Sequence, residues 1–354
     1  GVGKSVILRQ LCQACGDEGL YLSLDAFNEI NLFEVAKKAA ENYKITHLFL
    51  DEVHFVKTID QDLKKIYDFL DLQVTFTSSV AVAMHQSSSD LSRRVELVQL
   101  RPFSYGEYLE FSEDSAPLPN LTLEELYEQQ WQASHLKAGG KFYDYLQGGI
   151  MPYALQEEDI TTLQKNILQK TVEKDLPSIH SMTTEEIVIC RKMVKFIGKS
   201  GVDGISYSSL SKNLGITKYK AEIYVDLLEK AFVLHRLLPK GTNVLKEPKI
   251  LMSLPYRQLY RDFQECIGGT REDFAMDCMA MAGKRVHYLK STRGQKTPDF
   301  WIDDPEYPLV LEVGGKGKGR EQFKGVKVER KLIVADGDTI APHKIPLFLL
   351  GFLH

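Results

Sequence analysis

Short apolar runs alternate with helical stretches through residues 1–100, and no other feature narrows the fold so far. Lys4–Ala14 reads as a helix, Leu20–Leu24 as a strand and Leu32–Tyr43 as a helix. His47–Leu50 is a strand closing on Asp51 and Glu52; Asp60–Leu70 is a helix, and Val74–Thr77 and Val95–Leu100 are two more strands. Strands separated by helices are joined by crossovers, so the class is α/β with a mainly parallel sheet.

The pattern then changes. No Lys or Arg occurs from Pro102 to Leu136, while Glu107, Glu110, Glu113, Asp114, Glu124, Glu125 and Glu128 do; a solvated helical face accounts for such charges. Helical signals continue from Lys141 to His180, broken at Gly148-Gly149. In Thr183–Leu238, Thr184 caps a helix over Glu185–Lys199, a short helix from Tyr207 ends at Gly215, and Thr217 caps a third. With a strand over Phe232–Leu237, this is the order of a winged helix-turn-helix. Further on, Asp299–Ile302 and Leu309–Val313 read as neighbouring strands and Lys331–Ala335 as another.

Composition excludes several classes. The 354 residues are 44% apolar and 26% charged, which fits a multidomain globular chain. A net charge of -4 does not suit a polycation coating nucleic acid. No apolar run approaches the ~18 residues of a membrane span, and no signal peptide is visible. Five cysteines are sparse usage, and Cys12-x-x-Cys15 has no second pair to complete a metal site. The expectation is a cytoplasmic protein without membrane contact.

Gly3-Lys4-Ser5 ahead of an apolar helix is the second half of a phosphate-binding loop, G-x-x-x-x-G-K-[ST]. Gly1 and Gly3 would let the backbone approach ATP, Lys4 would reach its outer phosphates, and Ser5 would hold Mg2+. The first loop glycine and its strand are expected before residue 1, and the chain as it stands is expected to bind ATP poorly. Leu48-Phe49-Leu50-Asp51-Glu52 has the form of a Walker B strand: Asp51 for the Mg2+ shell, Glu52 to polarise the attacking water. Thr77 or Ser79 is placed to sense the terminal phosphate. Arg94, beside Arg93, is a candidate finger on a nucleotide, within its own chain or on that of a neighbour, and only the second would require an oligomer.

Taken with YLSLD, LFLDEVH, TSS and LSRRVELVQLRPFSYGEYLEF, the opening GVGKS resembles the prokaryotic AAA+-type ATPases that carry an uncharacterised C-terminal domain. GGIMPYAL, SSLSKNLGITKYKAEIYVDLLEKAFVLHRL and PDFWI…LVLEVGGKGKG extend the resemblance over nearly the whole chain. It departs at Ser78, where those proteins have glycine, and at Arg93-Arg94, where they have Gly-Arg. The resemblance implies an AAA+-like P-loop domain over 1–110, lacking its first strand here, a helical lid or linker over 111–182, a winged helix-turn-helix over 183–245 and a restriction-endonuclease-like α/β domain over 246–354.

In that last domain Asp299 and Glu312 resemble the two carboxylates of a PD-(D/E)xK nuclease, with Glu272 as its helix carboxylate. The lysine position, 314, is Gly, and Lys316 lies two residues further on, so nuclease activity is expected to be absent or marginal. The leading functional expectation is an ATP-binding, ATP-hydrolysing regulatory protein. The alternatives are a nucleotide-gated DNA-binding or DNA-processing protein, reading DNA through the winged helix, and a non-catalytic switch for a protein partner. The presumed recognition helix carries Lys218, Lys220 and Lys230 against Glu222, Asp226 and Glu229, a balanced set.

Overall fold

The computed structural model describes residues 1–27, 29–78, 91, 94–113, 116–201, 205–241, 247–289, 297–324 and 326–354. They form two compact units, Gly1–Leu100 with Lys174–Ser181, and Arg101–Glu173 with Met182–His354. Among the described residues no helix is long and apolar enough to cross a membrane.

In the first unit α1 (Lys4–Ala14) leads to β1 (Gly19–Ser23), α2 (Leu32–Tyr43) to β2 (His47–Asp51) and α3 (Ile59–Phe69) to β3 (Gln73–Phe76). The strands pair in parallel in the order β1-β2-β3, with Leu48 opposite both Leu20 and Val74. Strand β2 is central and buried from Leu48 to Asp51, hence its unbroken apolar run. Leu32 and Ala36 of α2 and Leu63 and Ile66 of α3 close on Leu48 and Leu50 in one core. Each fully buried leucine there contributes about 1.5–3 kcal/mol. Helix α1 packs on β1 and β2 and turns directly into β1, so it runs antiparallel to the strands. Its N-terminus therefore lies at their carboxyl ends, where open α/β sheets bind ligands.

One expected strand does not form. Val95–Leu100 joins no ladder among the described residues. Alternation supplies propensity only; a strand needs a neighbour's amides and carbonyls. Val98 is 84% exposed, and Leu97 and Leu100 are exposed too.

In the second unit, helix α4 (Tyr105–Glu113) lies within the acidic stretch and α5 (Ile160–Lys170) follows the expected break. Gly148 makes that break with φ 144°, and a Cβ on it would stand 2.7 Å from Cγ2 of Ile160. Next come α6 (Thr184–Lys199), α7 (Tyr207–Leu214) and α8 (Lys218–Lys230), then the antiparallel pair β4 (Leu234–Pro239) and β5 (Lys249–Met252). Thr183 caps α6 instead of Thr184, because Glu186 then stands at the third helical position and returns a bond to the Thr183 amide. Thr217 caps α8 as expected.

Helix α9 (Phe263–Met281) precedes β6 (Val286–Tyr288), β7 (Phe300–Ile302), β8 (Leu309–Gly314), β9 (Lys331–Ala335) and β10 (Lys344–Pro346). These strands join β4 and β5 in a seven-stranded sheet, β10-β9-β8-β7-β6-β4-β5. Strand β8 is antiparallel to β7, parallel to β9 and buried from Leu309 to Val313.

A buried ion pair ties this unit together. Arg257 is 2% exposed and Asp273 not at all. The guanidinium meets both Asp273 oxygens, Nη2 at 3.0 Å, and Nη1 donates to the Ser200 carbonyl at 3.0 Å. Asp273 also accepts the Met252 amide at 3.1 Å. Helix α9, strand β5 and the end of α6 thus meet on one charge pair. Replacing Arg257 by Ala strands the Asp273 carboxylate and should cost about 3–5 kcal/mol in urea unfolding. The apolar double variant Arg257→Met/Asp273→Leu should cost far less; equal losses would contradict this account.

A second pair is pH-dependent. His235 Nε2 lies 2.7 Å from Asp277 Oδ1, and Asp277 Oδ2 accepts the Leu254 amide at 2.7 Å. Burial pushes the imidazole down, but Asp277, with smaller contributions from Asp273 and Glu229, carries it above its ordinary value. The folded state then binds the proton more tightly than the unfolded chain. Its stabilisation is complete below about pH 6.5 and fades as pH rises through the folded-state value. The stability advantage of the parent over His235→Gln should shrink across that interval; an advantage constant from about pH 5.5 to 8.5 would refute it.

Candidate functional site

Helix α1 opens at Gly3, whose φ of 90° is left-handed, and a Cβ there would meet nothing within 4 Å. The backbone ahead of Lys4 is therefore open on the side a side chain would cover. Ser5, in the first turn, hydrogen-bonds Asp51 at the end of β2. Asp51 is 3% exposed. Its Oδ2 accepts the Tyr21 hydroxyl of β1 at 2.8 Å, and its Oδ1 accepts the Thr77 hydroxyl just beyond β3. Burial alone pushes the Asp51 carboxyl up; the hydrogen bonds from Ser5, Thr77, Tyr21 and the Glu52 amide outweigh it and hold the carboxyl below its ordinary value. It is ionised and fixed in direction.

Glu52 follows with φ 53°, a left-handed conformation that costs a non-glycine residue about 1–3 kcal/mol. Two bonds hold the turn: the Val53 amide donates to the Thr77 carbonyl at 2.9 Å, and the Thr77 amide to the Leu50 carbonyl at 2.9 Å. The Glu52 carboxylate lies 3.3 Å from His54 Nδ1, which is also 3.3 Å from the Ser78 hydroxyl.

Gly3, Lys4, Ser5, Asp51, Glu52 and Thr77 thus stand at one end of the sheet, and Gly1 is exposed coil before them. Ser79 and Arg93 lie outside the described residues. Arg94 is not brought to this site. Its Nε and Nη2 lie 3.0 and 3.2 Å from the two Asp68 oxygens, and its guanidinium stands over the Tyr67 ring. Helix α3 runs back from the carboxyl end of β2, so Asp68 in its last turn marks the opposite end of the sheet. Tyr21 and His54 escaped the sequence reading; the alternation of LYLSL and the histidine of LFLDEVH were the available signals.

In the second unit Glu272, Asp299 and Glu312 converge, and Lys316 does not join them. Lys249 of β5 sits 2.7 Å from Glu272 Oε2 and 4.0 Å from Asp299 Oδ1. Asp299 Oδ2 accepts the Val313 amide at 2.8 Å. Burial first, then repulsion from Glu312, pushes the Asp299 carboxyl up to about 6. Burial also raises Glu312, against the opposing pull of Lys318. Lys318 Nζ lies 2.6 Å from Glu312 Oε1. Its chain passes over Gly314, where a Cβ would fall 2.5 Å from Lys318 Cδ. Lys316 instead runs past Gly337. Lys249 and Lys318, which the sequence reading did not single out, are the lysines seen against these carboxylates among the described residues.

Residues 1–109 match the model of a family described as an AAA domain, and residues 139–253 match a domain of unknown function (DUF8612). An uncharacterised protein of Methanocaldococcus jannaschii is 26% identical over all of this chain and 82% of its own length. The structure of the Aeropyrum pernix ORC1 protein in complex with DNA aligns with 71% of this chain and 81% of that one, at 14% identity. Its TM-score is 0.29, too low to support an argument.

The donors around Asp51 can be tested by acid. Tyr21→Phe removes one bond to an ionised group and should lower stability at neutral pH by about 1.5–3 kcal/mol. Because the folded carboxyl is depressed, the stabilisation exists above about pH 4 and is lost as pH falls through the folded value. The gap between parent and variant in denaturant melts should close in acid; a gap independent of pH would contradict the assignment.

Proposed function

We propose that the first unit binds ATP with Mg2+ and hydrolyses it, as the motor or switch of a regulatory protein. The meeting of Ser5, Thr77 and an ionised Asp51 beside the N-terminus of α1 carries this reading. The residues fit the ligand: Gly3 leaves the backbone uncovered, and a helix N-terminus offers amides and positive dipole to an anion. Lys4 would neutralise the outer phosphates, and Ser5 and Asp51 would hold the metal. Bound, Mg-ATP supplies the activated phosphoryl group and part of the charge neutralisation that its transfer needs. Glu52 would take a proton from the attacking water, with His54 fixing the direction of its carboxylate. Thr77 holds Asp51 in place, and any contact of its hydroxyl with a phosphate would exchange with that bond. Arg94 could act on a neighbouring nucleotide only after leaving Asp68.

Helices α6–α8 with β4 and β5 follow the order of a winged helix, but α8 offers few unmatched cations. Lys218 is 2.7 Å from Glu247, Lys220 3.3 Å from Glu186 and Lys230 2.8 Å from Asp226. Packing within the protein suits this segment better than DNA reading, and a non-catalytic switch differs from the leading proposal in lacking phosphate release.

In the intact protein Lys4→Ala should weaken Mg-ATP binding by about tenfold or more, through loss of a charged phosphate contact. Glu52→Gln should keep binding and lower phosphate release by about 100-fold or more. Calorimetry and a phosphate assay separate the two roles; equal loss of binding in both variants would overturn them.

A further inference from the structure

A cleft of about 450 Å3 opens between the short helix Leu123–Tyr127 and the loop that joins β9 to β10. Sites for small molecules run from about 300 to 1,000 Å3. The two walls are tied together, because Gln129 Nε2 donates to the Ala341 carbonyl at 2.7 Å. Each wall also carries a non-glycine residue in left-handed backbone, Gln129 with φ 61° and His343 with φ 58°. Such residues persist only where their surroundings enforce them, and they gather at ligand clamps. The cleft is therefore built into the fold before anything enters it.

Its chemistry is that of rings and charges. The Tyr127 ring centroid lies 5.0 Å from that of His343 and 6.0 Å from that of Tyr307. Glu128 lines the cleft, and its Oε1 accepts the Tyr307 hydroxyl at 3.3 Å. Arg330 stacks over the Tyr307 ring at 4.0 Å, and Arg320 Nη2 donates to the Pro342 carbonyl. Among the described residues neither guanidinium is paired with a carboxylate. Burial first, then Glu128, pushes the Tyr127 hydroxyl up; Arg330 and Arg320 oppose this and Glu329 adds to it. Both cations therefore lie within electrostatic reach of that ring.

These groups select among ligands. A bare cation would suit the rings and Glu128, but Arg320 and Arg330 would repel it. An apolar molecule would take the Glu128 carboxylate out of water with nothing to meet it. A planar heterocycle joined to an anion uses every group: the ring lies against the aromatic side chains, and the anion meets the guanidinia. Glu128 then chooses the heterocycle. An ionised carboxylate only accepts hydrogen bonds, and its two oxygens can take two of them side by side. Guanine presents two adjacent donors, its ring N–H and its exocyclic amine. Adenine presents a donor beside an acceptor, whose lone pair would face the carboxylate. We propose that this cleft is a site for a free guanine nucleotide, with the base against Tyr127 and His343, its donor edge on Glu128 and its phosphate on Arg320 and Arg330. All of these residues belong to the second unit, and the proposal does not rest on the ATP reading.

The test is calorimetric titration of the whole chain with GMP, beside AMP, guanosine and a short single-stranded guanine oligonucleotide. AMP and guanosine should each bind about tenfold or more weakly than GMP, the first for its edge and the second for its missing anion. Glu128→Gln should bring GMP and AMP to within about threefold of each other, a change of selectivity that a merely structural role would not produce. Arg320→Met and Arg330→Met should each weaken GMP by about tenfold and leave guanosine unchanged. Tyr127→Leu should weaken GMP and AMP alike. Lys4→Ala should bind GMP like the parent, which separates this cleft from the first unit. Several outcomes would each overturn the proposal: absence of GMP binding, a GMP preference that survives Glu128→Gln, GMP binding unchanged in both arginine variants, GMP binding lost in Lys4→Ala, or an oligonucleotide that binds more tightly than GMP. Glu128 and Arg320 are exposed, so their variants keep the test decisive if the Tyr127 variant fails to fold.

Discussion

A carboxylate buried in a central strand must be met by donors, and each unit is arranged around one such group. Asp51 ends β2 and Glu312 lies near the end of β8, both almost fully enclosed. The two are answered differently. Asp51 receives hydroxyls from β1, the chain after β3 and the first turn of α1, and its acidity rises. Glu312 receives one ammonium on one oxygen, has a second carboxylate nearby, and its acidity falls. The first group is satisfied by the protein's own donors, so its direction is set in advance. The second is met on one oxygen only, by the Lys318 ammonium.

The surroundings of Glu312 depend in turn on the Arg257–Asp273 pair. Asp273 fixes α9 against β5 through the Met252 amide, three residues from Lys249. Glu272 precedes Asp273 and so points about 100° around the helix from it. One carboxylate is directed into the core toward Arg257, and its neighbour toward Lys249. A small rotation of α9 would disturb both contacts, so the buried pair sets the register of the cluster as well as the stability of the unit.

Much of the frame was legible in the sequence. The bounds of α1, α2 and β9 are those the apolar periodicity predicts, because each segment's own residues decide whether it can bury a face. Val95–Leu100 shows the limit, since a strand is a property of two segments. The acidic ends of β2 and β8 were legible as candidates because carboxylates closing apolar runs are costly. Their partners were not. Tyr21 and His54 look like ordinary strand and turn residues, and Lys249 is far in sequence from the groups it meets. Arg94 had the right residue type and a suitable place in order, but Asp68 is nearer and bidentate.

Lys318 reaches Glu312 by a route that strand alternation does not supply. Side chains alternate along a strand, so residue 314 shares a face with Glu312, and a lysine there would run beside that carboxylate. Gly314 leaves the space empty of side chain. The chain then turns, with the Lys318 amide donating to the Gly315 carbonyl at 3.0 Å, and Lys318 lies back across the gap. A lysine at 314 would be held by the strand ladder itself. Lys318 is held by a turn, and that turn by the two carbonyl bonds to Lys344 at the edge strand β10. The ammonium's position therefore depends on the edge of the sheet as well as its centre, and the edge is where local opening is easiest.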